Sequence, residues 1–132
     1  MSFELAGGPY AVTAARLALA DIDSQLDAST AFDVRLLVSE LVTNSVQHAS
    51  VSAEDSIRLT VDIGDDGVRV QVFDEGPGFE RPDATPDMGT DRGWGFFLVN
   101  QIADRWGVER ARGNCVWFEI DPSSGAAGQS AA

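Results

Sequence analysis

A chain of 132 residues with 44% hydrophobic and 23% charged side chains is the size of one compact domain and needs neither disulfides nor structural metal to bury a core. Its formal net charge of −12 opposes non-specific contact with nucleic-acid phosphates and leaves proteins or small molecules as the expected partners. All nine basic residues are arginine, which excludes Schiff-base and P-loop-lysine chemistry.

The single Cys115 forms no internal disulfide, and no basic-then-apolar segment opens the chain. No apolar run nears the ~20 residues needed to cross a bilayer, so a cytoplasmic location with no membrane partner is expected.

The first predicted element is a helix from Pro9 to about Asp21, with Ala11, Ala15 and Leu19 on one stripe. A second helix is predicted from an N-cap at Ser29 or Thr30 to about Ala49, because Val34, Leu37, Val38, Leu41, Val42 and Val46 recur at helical spacing. Ile57, Leu59, Val61 and Ile63 then alternate, as do Val68, Val70 and Val72 after the turn Gly64-Asp65-Asp66-Gly67; this pattern predicts two strands in a hairpin.

Glu75 to Asp91 is rich in Gly, Pro, Asp and Thr and reads as one long loop, a type that is commonly functional or disordered. Helical spacing returns from Gly95 to about Trp106 through Phe96, Val99 and Ala103, and residues 115–120 alternate as a final strand. The tail from Pro122 to Ala132 is small and polar and is expected to be disordered, leaving residues 1–121 as a single domain. Helices, then a hairpin, then a helix and a strand predict an α+β fold. Its form is a two-layer sandwich in which helices cover one face of a mixed, mostly antiparallel sheet. A dinucleotide-binding parallel sheet would want a Gly-rich turn after an initial strand, and the chain has none.

Three short patterns could carry chemistry, and each has a structural alternative. Glu40 and Asn44 lie four apart and share one helix face. A carboxylate can accept a hydroxyl proton and an amide oxygen can join the shell of Mg²⁺, while a solvated polar face is the alternative. Asp74 closes a strand ahead of Glu75-Gly76-Pro77-Gly78, where the glycines permit close approach of a flat ligand and the carboxylate can accept from an exocyclic amine; an ordinary turn is the alternative. Gly93-Trp94-Gly95 opens the third helix, whose free amides suit phosphate, with Arg92 as added charge. Here the alternative is a glycine hinge. The lone His48 has too few neighbours of the right type for a metal site, and Ser39, Thr43 and Ser45 form no recognisable nucleophile triad with it by spacing alone, so it reads as a helix-end or surface residue.

The order of the three patterns resembles a known superfamily. Leu37 to Ser45 is similar to the N box of GHKL ATPase/kinase proteins, Asp74 to Gly78 to their first Gly box, and Gly93 to Val99 to their second. The short length, Asp104-Arg105-Trp106-Gly107-Val108 and the ending Val116-Trp117-Phe118-Glu119 resemble the anti-sigma-factor serine/threonine kinase branch.

The resemblance spans about Pro9 to Ile120 and implies the histidine-kinase-like ATPase fold, with ATP and Mg²⁺ as cofactors. It implies that Asp74 accepts from adenine, Asn44 holds Mg²⁺ and Glu40 is the general base. Gly76, Gly78, Gly93 and Gly95 would shape the pocket, and the segment from Glu80 to Arg92 its lid. Cys115 stands where this branch commonly has a threonine that helps a water reach adenine, and a thiol is the poorer donor. Trp94 and Phe96 are bulkier than usual beside the second glycine pair. The implied activity is phosphorylation of an anti-sigma antagonist on Ser or Thr by a protein that also binds a sigma factor and forms a homodimer. The other reading left open is a protein-interaction module that binds nucleotide weakly or not at all.

Overall fold

The computed structural model describes residues 1–47, 56–75, 94–110 and 113–122. Five strands and three helices run in the order β1 (Ser2–Ala6), α1 (Ala11–Ala20), α2 (Ala28–Gln47), β2 (Ser56–Gly64), β3 (Gly67–Asp74), α3 (Trp94–Ile102), β4 (Arg105–Arg110) and β5 (Asn114–Ile120), with a 3-10 turn at Asp23–Gln25. The sheet order is β1-β2-β3-β5-β4, and every neighbouring pair is antiparallel. The α+β two-layer expectation holds, with a sheet wholly antiparallel among the described strands.

Strand alternation sorts the side chains into two layers. In β3, Val68, Val70, Val72 and Asp74 point into the protein, and in β5 Asn114, Val116, Phe118 and Ile120 do the same. They meet Ala11, Ala15 and Leu19 of α1 and Val34, Leu37, Val38, Leu41 and Val42 of α2 in one apolar core. The other sheet face carries Arg58, Arg69, Gln71, Trp117 and Glu119. There the Arg69 guanidinium lies 4.4 Å from the centre of the Trp117 ring. Gly67, at φ +113°, closes the β2–β3 turn in the left-handed region that a side chain disfavours.

Four boundaries differ from the sequence expectation. The short strand β1 was not expected from its pattern, since Leu5 is its one fully inward apolar residue and pairing with β2 is what stabilises it. Helix α2 starts earlier than a Ser29 or Thr30 cap would allow. Asp27 caps it, its carboxylate accepting from the Thr30 N–H at 2.8 Å and the Thr30 hydroxyl at 3.1 Å. The third helix stops at Ile102 rather than Trp106, and Arg105–Arg110 form β4. Pairing of Trp106 with Phe118 and of Val108 with Val116 draws that segment onto the sheet edge, and the Asp104 N–H donates to the Glu119 carbonyl at 2.9 Å where the helix gives way. The final strand begins at Asn114, one residue earlier than expected. Residues 123–132 of the tail expected to be disordered lie outside the described residues.

Phe118 is fully buried where β5 meets the helices. Phe118→Ala should therefore cost about 3–5 kcal/mol in unfolding free energy, checked by urea denaturation. On the open face, Glu119 accepts from Arg105 at 2.7 Å and from Arg69 at 2.6 Å, and these two hydrogen bonds, Arg105 first, hold its carboxyl below the ordinary glutamate value. Since the folded-state value is lowered, this contribution is complete above the ordinary value and drains away as pH falls through the lowered one. Melting temperatures recorded against pH should show a shallower acid decline for Glu119→Gln than for the parent.

Candidate functional site

Helix α2 runs under the middle of the sheet because one stripe of it is apolar, and that packing brings its C-terminal half to the end of β3. Asp74 is the last residue of β3, in phase with Val70 and Val72, and is only 1% exposed. A carboxylate so placed needs donors. The Ser45 hydroxyl of α2 donates to Oδ2 at 2.8 Å, and the Asn114 amide of β5 donates to Oδ1 at 2.9 Å. Asn114 faces Asp74 directly in the β3–β5 register. Just before it, Gly113 lets the two strands close up, since a Cβ there would come within 2.3 Å of the Asp74 carbonyl oxygen.

Asn44 precedes Ser45 and is 7% exposed. Its side-chain nitrogen is buried without a hydrogen-bond partner, the one such side-chain atom among the described residues. Leaving a buried amide unmade costs about 1–3 kcal/mol, and groups of this kind call for a ligand or a strain role. The amide tip carries an acceptor beside the donor, so it suits a ligand shell that includes a hydrated cation and phosphate oxygens. Among the described residues no three His, Cys, Asp or Glu side chains cluster to form a metal site of their own. Any Mg²⁺ held here would share its shell between Asn44 and the phosphates of a bound nucleotide.

Glu40 sits one turn before Asn44 and is half-buried. It lines a depression of about 340 Å³ together with Arg16, Phe32, Arg35, Leu36 and Ser39. Arg16 of α1 donates to the Ser39 hydroxyl at 3.2 Å and makes no ion pair among the described residues, whereas Arg35 is paired with Asp23 at 2.9 Å. The exposed Phe32 gives the depression an aromatic lip.

The structure thus joins Asp74 to Ser45 of α2 and Asn114 of β5, with Asn44 next to Ser45 along α2 and Glu40 one turn before Asn44. Gly95 lies within the first turn of α3. Gly76, Gly78, Arg92 and Gly93, along with His48 and the expected lid from Glu80 to Arg92, lie outside the described residues.

Cys115 does not join the group, which corrects the expectation that it serves the pocket. It points to the opposite sheet face from Asp74, its neighbours across the sheet being Phe73 and Glu109. Burial, reinforced by the Glu109 carboxylate, pushes its thiol above the ordinary value, so it stays neutral and weakly nucleophilic near pH 7. The partner of Asp74 is Asn114, one residue earlier, because a one-residue step along a strand reverses the face.

Sequence reasoning missed Ser45 and Asn114, yet both carried a signal. Ser45 is four residues after Leu41 on the apolar stripe, and Asn114 is in phase with Val116 and Phe118, so each is a polar side chain at a core position.

Comparison with known proteins bears on the family and the fold. Residues 6–120 match the histidine kinase-like ATPase domain family. The anti-sigma F factor of Clostridium beijerinckii is 30% identical over 125 residues, covering 86% of this chain and 87% of that protein. The serine-protein kinase RsbW of Listeria monocytogenes is 33% identical over 119 residues, covering 79% and 75%. Among solved structures, the blue-light activated histidine kinase of Erythrobacter litoralis EL346 superposes with a TM-score of 0.60 at 29% identity. The match covers 77% of this chain and 33% of that larger kinase. With most of its length matched by the family and the family's fold present, this chain belongs to the histidine kinase-like ATPase domain family.

Proposed function

We propose that this protein is an ATP-dependent serine/threonine protein kinase of the anti-sigma type, regulating transcription through protein partners. The observation that carries the reading is the buried Asp74 carboxylate, held by Ser45 of α2 and Asn114 of β5, with the buried Asn44 amide preceding Ser45 on the same helix. Anti-sigma F factors and RsbW kinases are the relatives that support the finer assignment.

Asp74 is an acceptor-only group in a dry setting, so it suits the exocyclic amine of adenine and disfavours an oxygen at the same place. Asn44 contributes an amide to the phosphate end. Bound there with nucleotide, Mg²⁺ would supply charge neutralisation at the β- and γ-phosphate oxygens. Glu40 takes the proton from a serine or threonine hydroxyl as that oxygen bonds to the γ-phosphorus and the bond to the bridging oxygen breaks, releasing ADP. The depression next to Glu40 receives the polypeptide bearing the hydroxyl. Arg16 and Phe32 offer that segment a charge and an aromatic surface within a protein that is otherwise strongly acidic.

Partners on this reading are a sigma factor and its anti-sigma antagonist, and the active form is a homodimer. The site is reached from an aqueous compartment, the cytoplasm. No described helix is long and apolar enough to cross a membrane.

Calorimetric titration with ATP, with and without Mg²⁺, tests the site. Asp74→Asn puts a donor against the adenine amine and should weaken ATP binding by roughly ten- to a hundredfold; undiminished affinity would refute the adenine contact. Glu40→Gln should leave ATP affinity within about twofold while slowing phosphoryl transfer by roughly 10²- to 10⁴-fold. Transfer is followed from γ-labelled ATP to a co-purifying acceptor protein, and wild-type transfer rates in that variant would remove Glu40 from the reaction.

A further inference from the structure

The described helices pack on one face of the sheet. The other face carries the half-buried Phe73, Gln71 and Trp117 with none of the described helices over them. Taking the homodimer reading above as its basis, we propose that two copies of this chain pair through this open face, sheet against sheet, with the strands of one antiparallel to those of the other.

The strand registers lay the open-face side chains out in rows. The middle row is uncharged, with Thr60 beside Gln71 and Gln71 beside Trp117. Trp117 in turn lies across Gly107, where a Cβ would come within 2.8 Å of the indole nitrogen. Two residues along the strands to one side, the row reads Asp62, Arg69, Glu119 and Arg105. To the other side it reads Arg58, Phe73, Cys115 and Glu109. The net charge of −12 drives copies of the chain apart. On this face, however, the strands present three arginines against four carboxylates, Glu4 included, so repulsion between copies is weak here.

A closed pair needs a surface complementary to itself. Turned about a two-fold axis along the middle row, the middle residues meet their own copies and the two outer rows exchange. Asp62 then faces Arg58 of the second copy, Glu109 faces its Arg105, and Arg69 faces its Phe73 ring. Asp62 and Glu109 make no ion pair among the described residues, so each is a carboxylate for which the second copy supplies the cation. An axis along β3 would instead set Arg69 against Arg69 and Asp62 against Glu119, and both are like charges. The charge pattern thus selects the antiparallel arrangement. Long arginine stems can follow the angle of roughly 30° at which two twisted sheets cross.

Sedimentation equilibrium on the parent chain and on Asp62→Lys and Arg58→Glu, each alone and then mixed, tests this surface, with melting temperatures as the check on folding. The parent should be a dimer that weakens as salt rises. Each variant alone sets like charges against one another at both symmetry-related contacts and should raise the dimer dissociation constant at least about tenfold. In an equal mixture both contacts of the mixed dimer again join opposite charges, and the constant should return to within about threefold of the parent's. Glu109→Arg, which faces Arg105 of the second copy, repeats the single-variant test should Arg58→Glu not fold. A parent dimer that the variants leave unchanged, or a mixture that stays monomeric, overturns this face and leaves the homodimer reading intact. A monomeric parent overturns the homodimer reading and this surface with it.

Discussion

The buried carboxylate of Asp74 is the constraint around which the rest of this molecule is arranged. A charge at 1% exposure survives in a core only when donors are brought to it. Here the donors come from separate parts of the chain, with Ser45 29 residues before Asp74 and Asn114 40 residues after it. Helix α2 must therefore lie where Ser45 can reach, β5 must pair with β3 in one register, and Gly113 must leave room for the strands to meet. Ser45 is adjacent in sequence to Asn44, and Asn44 is one helical turn from Glu40. Placing Ser45 thus places the amide and the second carboxylate as well.

The two faces of the sheet divide the labour. The covered face is an apolar core of Val, Leu and Ile, interrupted at one end by the polar group just described. The open face carries its charges in crossed pairs: Arg69 with Glu119, Arg105 with Glu119 and Asp121, and Arg58 with Glu4. Exposed pairs of this kind contribute little to stability. They pair Arg58, Arg69 and Arg105 locally, whereas Arg16 donates to the neutral Ser39 hydroxyl beside Glu40.

Membership in the histidine kinase-like ATPase family gives this geometry its chemical sense. A fold of this kind does little covalent chemistry of its own. On the function proposed above, its contribution lies in positioning, with an acceptor for the base, an amide for the phosphate end and a carboxylate for the attacking hydroxyl. At Asn114 an amide reaches Asp74 directly. The bond ties β5 to the end of β3 on the covered face, which the Cys115 thiol on the other face does not reach.

Much of this was legible in the residues themselves. The 3.6-residue stripe of Val34 to Val46 announces α2, the two-residue alternation of Ile57 to Val72 announces the β2–β3 hairpin, and the spacing of Glu40 and Asn44 puts them on one helix face, because these periods are local and set by backbone geometry. Only the tertiary structure decided the remainder. Strand β1 and strand β4 exist because β2 and β5 offer them partners, and the local preference for helix through Trp106 gave way to pairing with Phe118. The partner of Asp74 likewise depends on a register between strands 40 residues apart, where a shift of one position exchanges Asn114 for Cys115 and one face for the other. Hydrophobic period is written along the chain, whereas register and hydrogen-bond satisfaction are properties of segments that meet only after folding.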